Sequence, residues 1–311
     1  MKKISLIIPC YNEELTIPIF YDKICKVMDR MSYVEFEMLF VDDGSQDNSL
    51  NLMKTLRNSD SRVRYISFSR NFGKEAALYA GLKHARGDYV AVIDVDLQDP
   101  PELLIDMYKF ICEDGYDCVA TRRADRKGES KIRSFFAHAF YKLMGRISNT
   151  EIVDGARDYR LMTRQMVDAV LGMGEYNRFS KGLFAWVGFN TKWLNYDNIE
   201  RVSGDTKWSF FKLLSYSFEG IMAFSTLPLT ISTIIGILLC FISFLSIVFI
   251  AVRRLLYNDP VQGWASTICI ILFVGGTQLF CTGILGQYLA KTYLEVKHRP
   301  IYLIKESEES E

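Results

Sequence analysis

An α/β unit built on a mostly parallel sheet, followed by a hairpin of two membrane-spanning helices, is the architecture this 311-residue sequence predicts. Three observations lead to it. Short β-branched apolar runs alternate with amphipathic stretches over residues 4–121, the pattern of parallel strands joined by crossover helices. Polar clusters recur where those apolar runs stop. Two stretches, Leu229–Val252 and Trp264–Ala290, carry no charge at all, and each is long enough to cross ~30 Å of hydrocarbon at ~1.5 Å per residue.

The elements follow in order. Ile4–Pro9 reads as a buried strand stopped by proline. Asn12 is placed to cap a helix running to Met31, with Glu13 and Glu14 favourable in its first turn. Phe36–Val41 is a second strand, ending in Asp42-Asp43-Gly44-Ser45; Ser45 or Asp47 caps the next helix, to Ser59. Val63–Phe68 is a third strand, followed by the loop Ser69–Lys74 and a helix over Glu75–His84. Tyr89–Ile93 is a fourth strand, Pro101–Asp114 a helix and Asp117–Thr121 a fifth strand. Gly155–Leu161 reads as a charged turn into a helix over Arg164–Leu171, and Phe189–Tyr196 as a further strand. In parallel sheets ligands sit beyond the carboxyl ends of strands. Four such ends carry the polar groups: Pro9–Glu13, Asp42-Asp43, Arg70–Lys74 and Asp94–Asp99.

Composition narrows the function classes. Formal charge is zero, so no global field points to nucleic acid. No Gly-x-Gly-x-x-Gly follows the first strand and no P-loop lysine motif occurs, which disfavours dinucleotide and P-loop chemistry. Seven cysteines without a Cys-x-x-Cys pair point to reduced thiols on a cytosolic face. Met1–Ser5 begins like a signal peptide, but its apolar run is short and broken by Pro9.

The stretch Asp94-Val95-Asp96-Leu97-Gln98-Asp99-Pro100-Pro101 is the chemical centre. If it stays extended, Asp94, Asp96 and Gln98 share a face. Two carboxylates and an amide oxygen suit a hard divalent cation that keeps open positions for substrate phosphates.

Beyond residue 121 the chain turns basic, from Arg122 through Lys131 and Arg133. Residues 132–147 read as an amphipathic helix whose aromatics and basic ends suit a membrane interface or, equally, core packing. Arg201–Trp208 is a basic, glycine-containing loop, and 209–227 an aromatic-rich interfacial helix leading into the hairpin of residues 228–291. Basic residues flank both outer ends of the hairpin, while its short connection holds only Arg253 and Arg254; this bias favours both termini in the cytoplasm. The tail, 292–311, ends acidic and is expected to fray.

The motifs Ile8-Pro9-Cys10-Tyr11-Asn12-Glu13, Val41-Asp42-Asp43-Gly44-Ser45, Arg70-Asn71-Phe72-Gly73-Lys74, Asp94–Glu102 and Asp158-Tyr159-Arg160-Leu161 resemble, in this order, those of family 2 glycosyltransferases. The resemblance is to the polyprenyl-phosphate branch, which includes bactoprenyl-phosphate glucosyltransferases and dolichyl-phosphate mannose synthases. It implies a GT-A fold over residues 1–208, a nucleotide-sugar donor, Mg²⁺ or Mn²⁺, and a polyprenyl-phosphate acceptor held at the lipid bilayer. Pro9, Tyr11, Glu13, Asp42 and Asp94 would line the nucleotide site. Asp94, Asp96 and Gln98 would hold the metal. Asp158 and Asp96 would carry the catalytic roles, and Arg122, Lys131, Arg133 and Arg201 would take the acceptor phosphate. The expected activity is transfer of one sugar, from UDP-glucose or a UDP-N-acetylhexosamine, to undecaprenyl phosphate for cell-envelope glycan modification. A bacterial multi-pass membrane protein, self-associating through its membrane helices, with a cytoplasmic catalytic unit, is implied. The alternatives are a processive polysaccharide synthase, whose Gln-x-x-Arg-Trp motif is missing, and a GDP-mannose-using synthase.

Overall fold

The computed structural model describes residues 1–123, 153, 155–196, 221–222, 225–257 and 263–308. The chain forms two compact units, Met1–Gly220 with Arg299–Glu311, and Ile221–His298. The expected basic-loop residues Lys131, Arg133 and Arg201 lie outside the described residues, as do the helix expected over 132–147 and all but residues 221–222 and 225–227 of the one expected over 209–227.

The first unit is one eight-stranded sheet in the order β7-β5-β6-β4-β1-β2-β3-β8. Its strands are β1 (Lys3–Cys10), β2 (Glu35–Asp42), β3 (Val63–Phe68), β4 (Tyr89–Val92), β5 (Cys118–Arg123), β6 (Ala156–Thr163), β7 (Thr191–Tyr196) and β8 (Ile304–Ser307). Strands β3, β2, β1 and β4 pair in parallel and are buried on both faces, which is why they read as continuous apolar runs without alternation. Helices α1 (Ile17–Arg30), α2 (Ser49–Ser59) and α4 (Leu103–Asp114) cover one face. Helices α3 (Lys74–His84), α5 (Arg164–Gly172) and α6 (Ser180–Trp186) cover the other. In α1 the buried Ile17, Phe20, Ile24, Val27 and Met28 follow helical spacing and define its inward stripe. Helix α4 ends on Gly115, whose φ of 72° is the left-handed cap that glycine adopts without strain.

Three expectations change. Gly155–Leu161 is not a turn: Ala156–Thr163 is β6, which pairs antiparallel with both β4 and β5 and makes the sheet mixed on that side. The charges that obscured it, Arg157 and Arg160, are drawn inward by Asp99 and by the Phe184 ring. As far as Glu308 the acidic tail does not fray. Residues 304–307 add antiparallel to the β3 edge, and Glu308 reaches the Arg64 guanidinium and accepts from the Tyr65 N–H at 3.1 Å. Asn12 is not a helix cap. It takes a φ of 53° in a loop, its side chain accepts from the Gln46 N–H at 2.8 Å, and α1 begins five residues later with Pro18 in its first turn.

The second unit holds α7 (Leu227–Tyr257) and α8 (Trp264–Val296). Both are long and apolar enough to cross a membrane. Their apolar side chains, such as Ile237, Phe241 and Leu272, lie 60–69% exposed with no protein over them, marking a membrane-associated chain.

Helix α3 approaches β1 through small residues, Ala77, Ala80 and Gly81; a methyl group at Gly81 would collide with the Ile7 side chain. We therefore expect Gly81→Ala to destabilise the first unit by about 2 kcal/mol through overpacking. Thermal unfolding of the detergent-solubilised chain checks this, and an unchanged midpoint would refute the close approach.

Candidate active site

The site is built at the carboxyl ends of β1, β2, β3 and β4. The loop after β1 and the loop after β2 brace each other by reciprocal hydrogen bonds. The Asn12 N–H donates to Ser45 Oγ at 2.9 Å, the Glu13 N–H to Ser49 Oγ at 2.8 Å and the Glu14 N–H to Asp47 Oδ2 at 3.2 Å. In return the Gln46 and Asn48 N–H groups donate to Asn12 and Glu14 side-chain oxygens at 2.8 and 2.9 Å. Tyr11 and Glu13 sit on the first of these loops, and Pro9 lies just before it in β1, opposite Val41. Asp42 ends β2, fully buried, with its oxygens accepting from the Ser45 N–H at 3.0 Å and from Ser67 Oγ at 2.6 Å.

The loop after β3 is tied to Asp43, which accepts from the Phe72 N–H at 2.6 Å and from the Gly73 N–H at 2.9 Å. Gly44, at φ 70°, lies so close to the Arg70 main chain that a side chain there would overlap it. Burial pushes the Asp43 carboxyl up to about 6, against the pull of those two N–H donors.

Lys74, the first residue of α3, is the hub. Its ammonium lies 2.8 Å from Asp94 and 2.5 Å from Asp158. Asp158 reaches this point because β6 runs antiparallel to β4 with Arg160 opposite Val92, so Asp158, two residues before Arg160, lies beside the end of β4 from which Asp94 leaves. Burial alone would raise the Asp158 carboxyl. The Lys74 charge, with Lys181 at the start of α6, overrides it and holds the group well below the usual carboxylate range.

The Asp94–Gln98 stretch does not continue the strand: β4 stops at Val92, and Leu97 takes a φ of 58°. Turning places the three oxygen-bearing groups differently from a shared strand face. Asp94 faces Lys74. Asp96 is buried and accepts from the Gln98 N–H at 3.1 Å. The Gln98 amide oxygen accepts from Arg123 at 3.3 Å and Arg157 at 3.0 Å. Among the described residues no three Asp, Glu, His or Cys groups form a ready-made metal cage. Asp94, Asp96 and Gln98 are hard oxygen donors of the kind a divalent ion takes, with Asp94 here engaged by Lys74 and the Gln98 oxygen by Arg123 and Arg157.

Several members of the site carry no sequence signal of their role. Arg157 is salt-bridged to the buried Asp99 at 3.2 Å, and Asp99 also accepts from the Tyr196 hydroxyl. Arg123 rather than Arg122 reaches Gln98; Arg122 bonds Asn195 Oδ1 at 2.5 Å, because neighbouring side chains on β5 point to opposite faces. Lys74 stands inside a recognisable motif, but only the fold shows what it bridges.

A three-layer α/β unit with braced loops and an acidic, lysine-bridged cluster beyond its parallel strands has the GT-A glycosyltransferase architecture. The model for glycosyl transferase family 2 matches residues 5–171. The putative glycosyltransferase CsbB of Bacillus subtilis is 43% identical over 98% of this chain and 92% of its own length. The prophage bactoprenol glucosyl transferase homolog of Escherichia coli is 42% identical over 97% of this chain and 98% of its own. The bactoprenol glucosyl transferase of Shigella phage SfII is also 42% identical, over 98% of each chain. Among solved structures, mannosyl-3-phosphoglycerate synthase from Rubrobacter xylanophilus shares the fold, at 18% identity and a TM-score of 0.50 over 71% of this chain and 72% of that one. The chain belongs to glycosyl transferase family 2 and is a glycosyltransferase.

Two outcomes follow. Lys74→Met leaves Asp94 and Asp158 facing each other without their cation, so we expect turnover to fall about 100-fold, with Lys74→Arg recovering part of it; steady-state kinetics decide, and full activity of the methionine variant refutes the hub. Asp43 binds its proton more tightly folded than unfolded, so its contribution to stability is present below pH 4 and lost as pH rises through 6. The stability of wild type relative to Asp43→Asn should therefore decline by about 3 kcal/mol across that window, read by denaturation at stepped pH; a pH-independent difference contradicts it.

Proposed function

We propose that the chain transfers a single glucose from UDP-glucose to undecaprenyl phosphate, giving a lipid-linked monosaccharide at the cytoplasmic face of the bacterial membrane. The observation that carries this reading is the extent of the likeness. Relatives named for bactoprenol glucosyl transfer match the whole chain, including both long apolar helices, at 42% identity. A soluble glycosyltransferase has no use for that hairpin, whereas an acceptor whose prenyl tail stays in lipid requires the site to be held at the membrane.

The chemistry supports it. A phosphate monoester has its second pKa near ~6, so the acceptor is mostly dianionic at neutral pH and needs little help losing a proton. The site's task is to bring a dianion to a sugar carbon and to stabilise the departing diphosphate. Asp94, Asp96 and Gln98 would hold Mg²⁺ or Mn²⁺. When bound, that ion neutralises charge on the leaving diphosphate. Pro9, Tyr11, Glu13 and Asp42 line the nucleotide end of the braced loops. Lys74 and Arg157 keep the carboxylates oriented, and Arg122, with Lys131, Arg133 and Arg201, supplies cations for the acceptor phosphate.

Asp158 is an orienting group in this scheme. It is already ionised and engaged by Lys74, and a carboxylate held so far down is a weak base. The test uses the purified chain with labelled UDP-glucose, undecaprenyl phosphate and Mn²⁺, followed by lipid extraction. A single-sugar lipid is expected, abolished by a chelator and restored by Mn²⁺. Long polymer would favour a processive synthase, and no lipid-linked sugar would end the proposal. Asp158→Asn should raise the KM for the donor about tenfold with a smaller change in kcat; a large loss of kcat at neutral and high pH that shrinks at low pH, where the wild-type carboxylate is itself protonated, would instead mark a general base.

A further inference from the structure

The segment after α8 has no place in the reaction as described, yet it makes dense contact with one loop of the site. Tyr302 stacks on Phe68 with ring centroids 5.0 Å apart and planes 19° from parallel. Phe68 meets Phe72 edge-on at 5.8 Å. The Phe72 and Gly73 N–H groups are the ones held by Asp43, and the next residue is Lys74. A second link runs along the main chain, where the Ser69 N–H donates to the Leu303 carbonyl at 3.0 Å. The Tyr302 hydroxyl is fixed in turn by His84 Nε2 at 3.1 Å, at the far end of α3 from Lys74. Beyond it β8 continues along β3, and Glu306 and Glu308 close the segment onto Lys54 and Arg64.

Capping a sheet edge needs only the four residues of β8. The contacts of Tyr302 and Leu303 lie past that strand, at the point where β3 turns into the loop. Packing of this kind transmits position, because a close-packed aromatic row has few alternative arrangements.

We infer that residues 301–308 form a strap that positions the Ser69–Lys74 loop for catalysis, with Tyr302 as its positioning residue, acting on Lys74 through Phe68 and Phe72. The strap's catalytic consequence rests on the transfer reaction proposed above; its effect on the loop does not.

The experiment compares wild type, Tyr302→Ala, Tyr302→Leu and Tyr302→Phe as full-length chains in detergent. It measures glucose transfer from UDP-glucose to undecaprenyl phosphate and hydrogen exchange of the 69–74 amides. Loss of the stacked ring in the alanine and leucine variants should lower kcat about tenfold, since small misplacements remote from the chemistry cost rate. It should also speed exchange at 69–74 while β1 and β2 keep their protection. Tyr302→Phe keeps the ring, loses only the hydroxyl, and should retain both properties. The leucine variant preserves apolar bulk should the alanine variant fail to fold. Wild-type kcat and wild-type loop exchange in Tyr302→Leu would overturn the inference, as would faster exchange spread evenly over the whole sheet, which marks a merely structural role. If wild type transfers no glucose, the functional reading fails, and loop exchange alone decides the strap.

Discussion

Two carboxylates brought face to face in a half-buried site can both stay ionised at little cost only if a cation lies between them. Asp94 arrives from the end of a parallel strand and Asp158 from an antiparallel one, and the Lys74 ammonium lies within 2.8 Å of both. At Asp158 burial would raise the carboxyl, and the lysine's charge outweighs it and holds the group well below the usual carboxylate range. The remainder of the unit can be understood as the scaffold that delivers these three groups from separate stretches of chain. The antiparallel pairing of β4 with β6 brings both carboxylates to the same end of β4, and the loop after β3 sets the lysine.

That loop cannot be held by its own sequence, since a short glycine-containing segment has many conformations and few internal contacts. It is held from outside. Asp43 takes its N–H groups, and the Phe68 ring at the end of β3 packs against Phe72. The loops after β1 and β2 are treated the same way, each using side chains of the other as hydrogen-bond partners. Such cross-bracing lets backbone remain exposed for ligand at one edge without losing its geometry.

The chemistry suggested by this arrangement relies on charge and position more than on proton transfer. In the proposed reaction the acceptor phosphate would bring its own negative charge, so the demand on the protein would be for cations and a membrane-facing location. Lysine and arginine meet the first demand and the uncharged helices the second. An orienting Asp158, kept ionised by its neighbours, belongs with that economy of roles.

Much of this was legible from residue order alone. The buried parallel strands announced themselves as apolar runs because both faces are covered, and the membrane helices because burial in lipid tolerates no charge. The Asp94–Asp99 stretch and the loop motifs marked the site for the same reason: polar groups concentrated at strand ends serve little purpose in a plain turn. What stayed hidden depends on contacts between residues far apart in the chain. Ala156–Thr163 looked like a turn because Arg157 and Arg160 are charged, and only Asp99 and Phe184 explain why they point inward. The tail looked free because its glutamates match no local partner; their partners, Lys54 and Arg64, lie some 250 residues earlier. Sequence by itself determined the fold class, the two long uncharged helices and the polar clusters at the strand ends, since those follow from local periodicity and composition. Tertiary structure alone decided which carboxylates share a lysine and which loop the tail holds, because strand register and long-range pairing are set by the packing of the whole sheet and leave no local trace.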